Sequence, residues 1–92
     1  MNLAHQETAE KIEILLRERF MPSKLKVTNE SHLHAKHKEA KKHPEAGHFR
    51  IVLVSCDFAE KSLIQQHRMV YECLAELMPG SIHALALETK AA

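Results

Sequence analysis

Tryptophan is absent from this chain of 92 residues, and two glycines leave little material for tight turns or for a loop that cradles phosphate. There are two cysteines, Cys56 and Cys73, far apart and in no CxxC pair. They are too few for a disulfide framework, so free thiols in a reducing compartment are expected. No apolar run approaches the ~20 residues of a membrane span. The opening stretch, Met1 to Lys11, has neither an apolar core nor a cleavage signature, which points to a cytoplasmic protein without a membrane. A nucleophile elbow, a paired-carboxylate motif and a nucleotide-binding glycine loop are all lacking, and the reading is a non-enzyme. Excess charge is lacking too. A net +1 and a pI near 7.9 are not the footprint of a dedicated nucleic-acid binder.

What is present is ordinary for a small soluble domain: 45% apolar and 27% charged residues, with four aromatics. The length suits one domain spanning 1–92 with a modest core. Residues 8–20 read as an amphipathic helix, with Ala9, Ile12, Leu15, Leu16 and Phe20 inward and Glu10, Lys11, Glu13, Arg17 and Glu18 in water. Pro22 ends it. Residues 24–29 alternate as a half-exposed strand, with Leu25 and Val27 on one side. Residues 48–55 are apolar on both faces from Ile51 to Val54, as in a central strand. A short connection follows with Phe58 as anchor. A second helix is then expected from Glu60 or Lys61 to Met78, stopped by Pro79 and Gly80. The last strand covers 82–87, and 88–92 read as a polar tail. Helix, strand, strand, helix, strand defines an α+β domain. The closing strand–helix–strand unit calls for parallel pairing with a right-handed crossover, and hence for a three-stranded mixed sheet with both helices on one face.

Leu63, His67, Val70, Leu74 and Leu77 share one face of the second helix, and Ile64, Tyr71 and Met78 widen it into a core-facing surface. A histidine inside that stripe is either a core or boundary residue with hydrogen-bonded nitrogens, or a ligand. The eighteen-residue connection from Glu30 to Gly47 is longer than a hairpin loop needs, and loops of that length are commonly functional. It contains His32, His34 and His37, a spacing that suits a divalent metal or iron if the backbone is extended, although histidine-rich loops also bind metal incidentally. From Ser31 to Arg50 five cations (Lys36, Lys38, Lys41, Lys42, Arg50) face two anions, and five of the eight histidines lie in the same window. Arg68 is a further candidate for that basic surface. Cys56 and Cys73 read as ordinary small thiols, and His83 as structural.

Five segments, taken together, resemble the BolA family: Asn29–Ala35 (NESHLHA), His48–Ser55 (HFRIVLVS), Phe58, Gln66–Tyr71 (QHRMVY) and Ile82–Leu87 (IHALAL). They occur in the family's order from about Ile12 to Leu87. The resemblance implies a fold like the type II KH domain with an added short helical turn near Phe58. It also implies a partner, a monothiol glutaredoxin of the CGFS type, and a 2Fe–2S cluster shared with it and with glutathione. On that likeness the ligands would be His67 and a loop histidine, His34 by alignment, with His32 and His37 as alternatives. A competing class within the family is a DNA-binding transcriptional regulator of stress response and cell morphology. KH modules clamp nucleic acid with a GxxG loop that this chain lacks, so only weak, salt-sensitive DNA binding is expected. A homodimer stays open. Where the family usually has glycine this chain has Glu60, which puts the turn that aims the second helix in question.

Overall fold

A computed structural model describes residues 3–30, 47–78 and 80–92. Helix α1 runs Leu3–Phe20, β1 Lys24–Asn29 and β2 Gly47–Ser55. A 3-10 turn at Cys56–Phe58 leads to α2, Leu63–Cys73, then to a second 3-10 turn at Ala75–Leu77 and to β3, Ile82–Ala91. The sheet order is β1-β2-β3. β1 pairs antiparallel with β2, from Lys24 opposite Val54 to Asn29 opposite Phe49. β3 pairs parallel with β2, from Ile82 beside Gly47 to Ala91 beside Ser55. This is the α+β arrangement expected, including the added turn at Phe58.

The alternation of β2 decides the layering. Phe49, Ile51, Leu53 and Ser55 are buried, while His48, Val52 and Val54 are half-buried and Arg50 is exposed. Ile12, Leu16 and Phe20 of α1, Val70 of α2 and Leu74 at its C-cap join Phe49, Ile51 and Leu53 in a single core, so both helices cover the same face. Phe20 and Phe58 meet with ring centroids 5.1 Å apart. At that end of the sheet the buried Ser55 hydroxyl donates to the Phe20 carbonyl at 2.8 Å and accepts from the Asp57 N–H at 3.1 Å. One side chain therefore ties the last turn of α1 to the 3-10 turn after β2.

Four expectations need correcting. α1 begins at Leu3 rather than at residue 8, because its first turns bury polar residues, His5 and Thr8, that hide the apolar period. α2 starts later and stops earlier. Ser62 caps it in a reciprocal box, with its own N–H donating to Gln65 Oε1 at 2.8 Å and the Gln65 N–H donating to its hydroxyl at 3.1 Å. The chain then tightens into 3-10 geometry after Leu74. β3 is no tail after Leu87, since Glu88 to Ala91 keep pairing with β2.

The fourth concerns the apolar stripe. Val70, Leu74 and Leu77 are buried, but Leu63, Ile64 and Tyr71 are 60%, 66% and 40% exposed. The helix is rolled so that Gln66, Met69 and Cys73 flank its buried line instead of Ile64 and Tyr71. Two polar contacts hold that roll: the Thr89 hydroxyl donates to Gln66 Oε1 at 2.6 Å, and the Cys73 thiol donates to the Leu15 carbonyl at 3.5 Å.

Glu60 adopts φ 62°, the left-handed region where a side chain is strained and glycine is not. Glu60→Gly should therefore raise stability, by about 0.5–1 kcal/mol, as a higher urea midpoint at unchanged slope. A lower midpoint would show that the Glu60 side chain contributes more than its backbone costs.

Candidate metal and partner site

The sheet has two unlike ends. At one end β1 finishes, and β2 and β3 begin. There the Glu30 N–H donates to the His48 carbonyl at 2.7 Å and the Gly47 N–H donates to the Ser81 carbonyl at 3.0 Å. The connection 31–46 leaves from Glu30 and returns at Gly47, so both its anchors lie here. A register shift between Gly47 and His48 sets Gly47 beside Ile82 and His48 beside Ala84, with His83 as the extra residue between them. It brings the His48 and His83 rings to 5.2 Å between centroids, tilted by 49°. Next to them a depression of about 340 Å³ is lined by Glu30, His48, Arg50 and Ala84, among others. His5 closes the inner side, its ring edge-on to Phe49 at 6.4 Å. Gly47 is required by this packing, because a Cβ there would lie 2.4 Å from the Phe49 ring.

His67 belongs to the other end. Its neighbour Gln66 is held by Thr89, and Thr89 is six residues along β3 from His83, roughly 20 Å at strand rise. His67 is half-buried, and its Nε2 is enclosed without a hydrogen-bond partner. The histidine in the stripe is thus a boundary residue with one unsatisfied nitrogen, not one with both nitrogens hydrogen-bonded.

The loop candidates His32, His34 and His37 and the cations Lys36, Lys38, Lys41 and Lys42 lie outside the described residues. Among the described residues no group of three or more metal-capable side chains converges. Of the basic candidates, Arg50 is not a free cation. Its Nε meets Glu30 Oε2 at 3.1 Å, and its Nη1 lies 3.8 Å from Glu88 Oε1. Arg50 alternates with buried Phe49 and Ile51, which puts it on the sheet face without helices, whereas Arg68 is exposed on α2 on the other side. The structure therefore separates these two arginines instead of joining them in one basic surface.

Cys56 is exposed, and burial pushes the Cys73 thiol above its ordinary value, a rise that the Arg19 charge opposes. A thiolate-selective reagent at neutral pH should modify Cys56 well before Cys73, read by mass spectrometry of the folded chain. Equal rates would mean that α2 opens on the labelling timescale.

A three-stranded mixed sheet with two helices on one face and a 3-10 turn after the central strand defines the class, a small KH-like α+β domain. The family model for BolA-like proteins matches residues 16–92, and the chain belongs to the BolA family. It is 40% identical over 76 residues to the "DNA-binding transcriptional regulator BolA" of Haemophilus influenzae, covering 83% of this chain and 69% of that one. To the Escherichia coli protein of the same description it is 41% identical over 83 residues, covering 87% and 71%. Among solved structures, the BolA domain of SufE1 from Arabidopsis thaliana superposes with a TM-score of 0.79 at 31% identity over 91% of both chains. BolA1 from Mus musculus gives 0.72 at 36% identity, over 90% of this chain and 63% of that one.

The histidine pair was missed in the sequence because His83 read as structural and His48 was counted only among the histidines of the 31–50 window. The signal was available: His48 and His83 open two strands that a right-handed crossover makes parallel neighbours.

Proposed function

We propose that this chain pairs with a monothiol CGFS glutaredoxin and shares a 2Fe–2S cluster with it and with glutathione, in cluster trafficking or in sensing iron and redox status. Imidazole is a fitting donor for such a cluster, because histidine in place of cysteine on one iron raises the potential and makes ligation depend on pH. One ligand comes from the loop, His34 by alignment, or else His32 or His37. For the other, the geometry supports His83 over His67. The carrying observation is that both anchors of the 31–46 connection stand at the His83 end of the sheet, while His67 sits near the level of Thr89 with its Nε2 enclosed. A cluster held between two proteins needs a nitrogen that the partner's iron can reach.

Anaerobic reconstitution with a CGFS glutaredoxin and glutathione, followed by visible absorption and circular dichroism, tests this reading. The mixed complex should give a spectrum distinct from that of the glutaredoxin homodimer. His83→Ala and His34→Ala should lose it, and His67→Ala should keep it. Loss in His67→Ala alone would return the ligand role to α2, and an unchanged homodimer spectrum would end the cluster reading.

The second reading, a DNA-binding transcriptional regulator in stress response and cell morphology, is favoured by the descriptions of the two bacterial relatives. In this chain Arg50 contributes little to it, being paired with carboxylates, which leaves Lys36, Lys38, Lys41 and Lys42, and Arg68 on α2, as the cations to test. Titrating promoter and unrelated duplexes at low and physiological salt should give weak binding that is blind to sequence and falls steeply with salt. A sequence preference that survives physiological salt would instead establish the regulator.

A further inference from the structure

Among the described residues nothing covers the outer face of α2, and its composition is unusual. Ile64 and Tyr71 stand on it with more than a third of their surfaces in water, beside the equally exposed Leu63. Arg68 lies between them, one turn from each. Arg17, Arg19 and Arg50 each meet a carboxylate, at 3.0, 3.3 and 3.1 Å respectively. Among the described residues Arg68 makes no such pair. Glu72, one turn further on, is also exposed and unpaired, although four residues would allow an ion pair along the helix. Arginine before glutamate is the weaker order for such a pair. The face thus presents an apolar strip with one unused cation followed by one unused anion.

We infer that this face is the contact between two copies of the chain. The α2 helices pack antiparallel about a two-fold axis at the level of Val70, so that Arg68 of each copy meets Glu72 of the other. A two-fold contact requires that if residue i touches j, then j touches i, and the Arg68–Glu72 pair satisfies this with opposite charges. Tyr71 then falls beside the axis, and the two Ile64 side chains close the ends of the strip. Nucleic acid is a poor occupant, because residues 60–72 carry Glu60 and Glu72 against Lys61 and Arg68 and leave no surplus for phosphate. A helix of eleven residues covers an area at the low end of specific interfaces, so the dimer is weak and reversible.

Sedimentation equilibrium of the full chain from about 5 to about 500 μM tests the assignment. Wild type should pass from monomer to dimer within that range. Arg68→Glu and Glu72→Arg should each weaken the dimer at least about tenfold, since each sets like charges across the axis, and the combined swap should restore most of the affinity. Far-UV circular dichroism should stay unchanged, because both side chains are exposed. A chain that stays monomeric, single variants that dimerise like wild type, or a swap without rescue would each overturn the inference. If wild type stays monomeric and Arg68→Glu instead abolishes binding of a glutaredoxin, the face belongs to that partner and the dimer assignment falls.

Discussion

Strand β2 is the constraint on which the rest of the molecule depends. Among the described residues it is the only strand with a neighbour on both sides, and its inward residues carry the centre of the core. Because side chains alternate with period two, a slip of one residue would turn Phe49, Ile51 and Leu53 outward and bring Arg50 in. Burying that guanidinium without its two carboxylates would cost several kcal/mol, so the register is held from both faces. Ser55 adds a polar lock at the end of the strand. Its hydroxyl gives the Phe20 carbonyl and the Asp57 N–H partners in a place that water does not reach.

The same strand sets the two ends apart. At the Ser55 end the chain is occupied with structure, in the aromatic contact of Phe20 with Phe58, the 3-10 turn and the strained Glu60 that leads into α2. At the Gly47 end the ladder is broken by a register shift, and the irregularity brings two imidazoles together. Bulges often re-aim side chains next to functional sites. Here it leaves His83 as the extra residue beside His48, with the two rings 5.2 Å apart.

Much of this was legible in the sequence, and the failures have physical causes. β1 was readable to the residue because Lys24, Lys26 and Thr28 alternate with Leu25 and Val27. The parallel pairing of β2 with β3 followed from the handedness of the crossover. The roll of α2 was not readable, because an apolar stripe as wide as Leu63 to Met78 offers more than one line of burial. Tertiary polar contacts from Thr89 and Leu15 selected the line through Gln66 and Cys73. Cys73 lay outside the stripe read from the sequence, and it is on the packed flank. The proximity of His48 and His83 was within reach of the sequence, since both open parallel neighbouring strands, but the register shift that pairs His48 with Ala84 was not. The Glu60 turn, by contrast, was flagged by the departure from glycine, and its backbone does occupy the region glycine favours.

The distribution of charge separates the two functional readings more sharply than net charge does. Arg50 looked like part of a basic surface because the sequence window was cut at residue 50. In space it lies between Glu30 from the end of β1 and Glu88 from β3, and the trio carries a net negative charge that offers nothing to phosphate. Apart from Arg68 on α2, a nucleic-acid contact made by this chain would therefore depend on the lysines between residues 36 and 42, within the connection that also holds the candidate ligand histidines. Both readings thus converge on the same connection and the same end of the sheet. They differ in the chemistry asked of it, point charges for phosphate or neutral imidazole nitrogens for iron. Protonation drives these in opposite directions: acid strengthens a cationic loop for phosphate and removes the lone pairs that hold iron. The pH dependence of partner binding is accordingly a discriminator between the readings that requires no substitution at all.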